Sequence, residues 1–184
     1  MGAIPRGPGY NCIKVKHPAL PQFDYATAHP ARHEFKEETM NEGYSKIFVS
    51  LDGTEQQDFV LARAIKVAAN NNAKLIIGHV IDSTALESAG SYPVDLVNGL
   101  EEAFKSSIEK QVEEAKANPN IPEVEVMIRA GRIRETLKDE MLDVVKPDLV
   151  LCGARGLSSI KYALLGSIST FLLRNTECDI LVVK

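Results

Sequence analysis

From Tyr44 to the end of the chain, short apolar runs alternate with segments of helical period, and that alternation leaves few architectures open. The runs are "KIFVSLD" (46–52), "AKLIIGHVID" (73–82), "EVEVMIRAG" (123–131), "DLVLCGA" (148–154) and "DILVVK" (179–184). Most are continuously apolar, as strands are when helices cover both faces of their sheet. Between them lie "TEQQDFVLARAIKVAANNN" (54–72), with Val60, Ala64, Val67 and Ala68 on one stripe, and a stretch through Ala117 carrying Val97, Leu100, Phe104, Ile108, Val112 and Ala115. "RIRETLKDEMLDVVK" (132–146) follows, stopped by Pro147, and then "GSISTFLLRNT" (166–176). Steps of three and four put one face of each on a core. Thr54 is the expected N-cap of the first helix, with Gln57 in capping-box position. The order βαβαβαβαβ predicts an α/β fold: a Rossmann-like open parallel sheet of five strands with helices on both faces and right-handed crossovers.

Residues 1–42 read differently. They hold five of the nine prolines and three of the four histidines, His17, His29 and His33, with no periodicity. This predicts an irregular extension, 1–42, ahead of a domain at 43–184. Pro30 between His29 and His33 argues against a helical metal pair. A chain of 184 residues can bury a sizeable core without staples. Its net charge of -4 argues against a nucleic-acid surface. No apolar run reaches the length of a membrane span. Three cysteines without metal spacing, and an N-terminus without an apolar leader, give a cytoplasmic expectation.

The candidate site comes from "GARGLSSIKYALLGSIS" (153–169). In a doubly wound sheet, ligands bind beyond the carboxyl ends of the strands, where strand order reverses. Gly153 ends the fourth strand, and Gly166 and Ser167 open the next helix. A helix N-terminus presents unpaired N–H groups and the positive end of the dipole. Glycine lets a phosphate approach the backbone. Ser167 and Ser169 add hydroxyls, and Arg155 adds positive charge. The bland alternative is a turn at Gly153 and Gly156 and a plain N-cap at Gly166-Ser167. No Walker A lysine follows, and "SLDGTE" after the first strand is not a dinucleotide fingerprint.

The spacing Gly153-x2-Gly156-x9-Gly166-Ser167 resembles the G-x2-G-x9-G-S/T pattern of the ATP-binding universal stress proteins. "VSLDGT" is similar to that family's first-strand motif, "IIGHVID" to its second and "DILVVK" to its last, so the resemblance spans residues 44–184. It implies the strand order 3-2-1-4-5, with ATP lying between strands one and four. Asp52 would contact the adenosine portion, with Ser50 and Leu51 along the same edge; its alternative role is an Asx-turn at Asp52-Gly53. Val80 would pack on adenine, or simply on the core. Cys152, Gly153, Arg155, Gly156, Gly166, Ser167, Ile168 and Ser169 would complete the nucleotide site. Cys152 would act through its backbone, its thiol being a small buried hydrophobe. His79 is expected to be a hydrogen-bonded structural residue. Gly131 would turn the chain toward the site. Ile133 and Asp179 stand where the family has prolines, and Met40 resembles the family's natural start.

The resemblance implies a regulatory homodimer in the stress response, with ATP or another adenine nucleotide bound, Mg²⁺ carried by the phosphates, and at most slow hydrolysis. The two copies would pair antiparallel through the last strand, Ile180, Leu181, Val182 and Val183; the alternative is that residues 1–42 cover that edge in a monomer. An ATP-using enzyme of nucleotidyl-transferase or pyrophosphatase type, on a related fold, is the first alternative. It would need a serine-glycine phosphate loop that "SLDGTEQQ" lacks. A non-nucleotide interaction module is the second.

Overall fold

The computed structural model of the chain describes residues 13–15, 43–84, 94–154 and 165–184. Strand β1 is Ile13–Val15. The domain then runs β2 (Lys46–Leu51), α1 (Gln57–Asn71), β3 (Lys74–Asp82), α2 (Val94–Lys116), β4 (Val124–Gly131), a helical stretch α3, β5 (Leu149–Gly153), α4 (Ser167–Asn175) and β6 (Asp179–Val183). α3 is α-helical at Ile133–Glu135 and Asp143–Val145 and π-helical at Thr136–Leu142 between them.

The five strands β2 to β6 pair in parallel in the order β4-β3-β2-β5-β6, which is 3-2-1-4-5 counted from β2. The expected fold is therefore present. Side chains alternate between two cores, one on each face of the sheet. From β2 and β3, Ile47, Val49, Leu51, Leu75 and Ile77 meet Val60, Leu61, Ala64 and Ala68 of α1 and Phe104, Ile108, Val112 and Ala115 of α2. Phe48, Ile76, Val150 and Cys152 point the other way, onto Leu137, Met141, Leu142 and Leu172. Gly78 leaves the space that the Phe48 ring fills, since a Cβ there would overlap three of the ring's carbons.

Two local expectations need correction. The first helix does not start at Thr54. Asp52 captures that residue, its Oδ1 accepting from Thr54 N (3.1 Å) and Thr54 Oγ1 (2.7 Å). The helix opens at Gln57 with no side-chain cap. Its other end is as the asparagines suggest: Asn72 sits left-handed at φ 51, and Ala73 N–H closes onto Ala68 O at 3.0 Å. The second correction concerns the last strand, expected first as an edge open to a second copy, with cover by residues 1–42 as the alternative. β6 instead lies inside a six-stranded sheet, because Ile13–Val15 of the extension pairs with it antiparallel. Unpaired strand edges present N–H and C=O groups that the chain's own segment satisfies here.

Asp179 opens β6 and donates its N–H to Asp148 O at 3.3 Å, a bond that a proline there could not make. Asp148 in turn ties down the start of β2, accepting from Ser45 N (2.8 Å), Ser45 Oγ (2.6 Å) and Lys46 N (2.8 Å). Burial alone would raise the Asp148 carboxyl, but those hydrogen bonds outweigh it and hold the pKa below the usual value.

Candidate functional site

β2 and β5 are neighbours in the sheet, yet their crossovers leave in opposite directions, so a cleft opens beyond their carboxyl ends. A cavity of about 300 Å³ occupies it, at the lower end of the range for small-ligand sites. Ser50, Leu51, Asp52, Val80, Cys152, Gly153, Gly166, Ser167, Ile168 and Ser169 all line it. Arg155 and Gly156 lie outside the described residues. Gln56, Gln57 and Val60 of α1, and Ile133 and Leu137 of α3, complete the wall and were not expected there.

On the β2 side, Gly53 makes the turn at φ 76, a left-handed conformation that other residues adopt at a cost. That turn leaves Asp52 exposed at the mouth. Its Oδ1 serves the Asx-turn to Thr54, so both roles weighed for Asp52 are compatible: Oδ2 is still open to a ligand's hydroxyl or amino group. His79 braces the same corner. Its Nδ1 lies 3.0 Å from Leu51 O, and its ring stacks on Phe104 with centroids 3.9 Å apart. Burial pushes the imidazole pKa down, which favours a neutral ring donating from Nδ1. His79 is thus the structural residue expected. Gln57 joins α1 to α2 through Nε2 and Ser107 Oγ (3.0 Å). Ser107 gives its one proton to Phe104 O (2.7 Å), so the Gln57 amide must present its NH₂ to it.

On the β5 side, the ladder to β2 ends at Ser50 and Cys152, one residue short of Gly153. The Gly153 carbonyl has run out of sheet partners on that side, and Ser169 Oγ donates to it at 2.7 Å. This bond latches α4 to the strand tip. It also uses the only proton of the Ser169 hydroxyl, so that group cannot at the same time donate to a phosphate. Gly166 N–H is occupied as well, by Ala154 O at 2.7 Å. The first intrahelical bond runs from Thr170 N–H to Gly166 O (3.0 Å). The N–H groups of Ser167, Ile168 and Ser169 therefore have no partner within the helix, and they stand at the cavity wall with the exposed Ser167 hydroxyl. Cys152 is inert, its thiol pKa pushed up to about 12 by burial.

Gly131 ends β4, where a Cβ would overlap Thr136 Oγ1. Its absence lets α3 start close to the strand, with Ile133 as the first helical residue and part of the wall. Among the described residues, no group of three or more His, Cys, Asp or Glu side chains could hold a metal ion, and no helix is long and apolar enough to cross a membrane.

The profile of the universal stress protein family matches residues 43–184, most of the chain. The chain belongs to the universal stress protein family. A protein named for that family from Staphylococcus saprophyticus is 28% identical over 141 residues, which cover 77% of this chain and 84% of that one. The solved universal stress protein UspA from Lactobacillus plantarum superposes with a TM-score of 0.67 at 20% identity, over 77% of this chain and 99% of that one, and so speaks to the fold. A universal stress protein solved in complex with cAMP is 29% identical, with a TM-score of 0.56 over 77% of this chain and 97% of that one.

Proposed function

We propose that residues 43–184 form an adenine-nucleotide-binding domain, with ATP as the ligand, in a regulatory homodimer of the stress response. The observation that carries this reading is the N-terminal end of α4, where the Ser167, Ile168 and Ser169 N–H groups have no partner within the helix and the Ser167 hydroxyl is exposed, facing the same cavity as the Asp52 carboxylate and the apolar Val80 and Ile133. A polyphosphate fits the first and an adenosine moiety the second. The solved relative that holds cAMP supports an adenosine-type ligand for a cavity of this family. Mg²⁺ would enter with the phosphates, and hydrolysis would be slow at most. Pairing of two copies through β6 would place Ile180 to Val183 against the same residues of the partner, at the edge that β1 holds in the single chain.

Thermal denaturation of the full chain with Mg-ATP, Mg-GTP or cAMP tests the ligand assignment. ATP at about 100 times its Kd stabilises by about 2.7 kcal/mol, enough for a shift of several degrees. The reading predicts that shift for ATP and little for GTP. A flat response to ATP up to millimolar concentration would refute it. A shift with cAMP larger than with ATP would move the ligand to a cyclic nucleotide.

A further inference from the structure

The outer edge of β6 has one occupant in the single chain, and the hydrogen bonds show which groups are contested. Asp179 N–H donates to Asp148 O, and Ala154 N–H donates to Val183 O at 2.7 Å, so the odd-numbered residues of β6 face β5. By strand alternation Ile180 and Val182 face outward. Their partners across the edge are Val15 and Ile13, with Lys14 opposite Leu181. Ile13 and Val15 are therefore the residues whose N–H and C=O groups meet β6. A second copy pairing through its own β6 would need the same groups of Ile180 and Val182. The two occupants exclude each other over those residues.

We propose that Ile13–Val15 is an intramolecular edge strand that competes with a second copy of this chain for Ile180–Val182, and so sets the concentration at which two copies pair. This rests on the reading that β6 is the pairing edge. The segment is tethered to the sheet by residues 16–42, a length that spans at most about 3.6 Å per residue and can reach the edge from Gly43. A tethered strand competes at an effective concentration in the millimolar range. A free partner at micromolar concentration thus starts at a disadvantage on the order of 10³-fold. It recovers part of this because its strand offers more residues than three. Short covering strands are a known way of keeping an exposed edge from uncontrolled pairing. Any event that withdraws the extension would release the edge.

The test uses the full chain and the double variant Ile13→Pro/Val15→Pro, which removes the two N–H donors facing β6 and changes no residue of the 43–184 domain. Sedimentation equilibrium from about 1 μM to about 1 mM gives the dimer Kd, and amide hydrogen exchange reports the protection of Ile180 and Val182. The proposal predicts a dimer Kd at least about 10-fold lower for the variant than for the parent. Equal dimer Kd values would overturn it, as would weaker pairing by the variant, which would show that the strand is exchanged between copies. If neither protein pairs, the β6 dimer reading fails and with it the competition. Protected Ile180 and Val182 amides that the prolines expose would then still support the edge strand, and amides open in both proteins would dismiss that too.

Discussion

Replacing Ser169 by alanine separates two roles for its hydroxyl, latch and phosphate donor. The structure assigns the first. Ser169 is buried, and its proton goes to Gly153 O at 2.7 Å. Removing it deletes that hydrogen bond, together with the weaker one between the hydroxyl and the Cys152 thiol, and leaves a carbonyl at a cavity wall. A net hydrogen bond contributes about 0.5–1.5 kcal/mol, and the orphaned carbonyl is half-buried, where water can reach it, so the loss should be about 1 kcal/mol. For a domain of this size that lowers Tm by roughly 3 °C. The helix N-terminus would loosen, and adenosine and ATP should weaken by similar small factors. Were the hydroxyl instead a donor to a phosphate oxygen, its loss would cost ATP alone about 1.5–3 kcal/mol, roughly 10- to 150-fold. Titration calorimetry with both ligands, beside a melting curve, decides between them. An unchanged Tm together with an ATP-selective loss of that size would refute the latch.

Further outcomes follow from other contacts. Gly78→Ala forces a methyl into the Phe48 ring at the centre of the sheet and should cost about 1–3 kcal/mol or more, read as a lowered midpoint in urea; an unchanged midpoint would contradict the packing described. Asp148 has a folded pKa below its unfolded one, so its contribution is full above the unfolded value and is lost as pH falls through the folded one. Asp148→Asn should therefore destabilise by about 1 kcal/mol at pH 7, with a gap from the parent that narrows toward pH 3; a gap that stays constant would contradict the linkage. Cys152, with its pKa pushed up to about 12 and its side chain buried, should escape alkylation by iodoacetamide at pH 8 until the protein unfolds, as mass spectrometry of the labelled peptides would show.

The strands were legible because their burial on both faces writes itself as unbroken apolar text, as "KIFVSL" does around Phe48. The strand order was legible only through the resemblance, since periodicity says nothing of which strands are neighbours. Thr54 misled because a side-chain contact, the Asp52 carboxylate, outweighed a local capping signal. Ile13–Val15 was harder to read: Ile13-Lys14-Val15-Lys16 alternates apolar and charged residues as a strand does, but four residues between Pro8 and Pro18 are too short a run to stand out, and docking on an existing edge makes them a strand. The glycines and serines of the cavity could be read from their spacing. Ile133 and Leu137 could not, because an apolar residue that borders a ligand space has the same helical spacing as one that fills a core. Nor does spacing tell which groups are already used: the Gly166 N–H and the Ser169 hydroxyl look available in the sequence and are both engaged in the structure.

The most direct test of the nucleotide assignment is calorimetric titration of the parent and of Gly166→Val with Mg-ATP and with adenosine. Gly166 has φ -72 and ψ 167, a backbone that valine can adopt, so the variant should fold. Its side chain would stand where the phosphates approach the N–H groups of Ser167 to Ser169. The account predicts that the parent binds ATP at least about 10-fold more tightly than adenosine, and that the variant keeps its adenosine affinity while losing that preference. A folded Gly166→Val protein that binds ATP as tightly as the parent would contradict it.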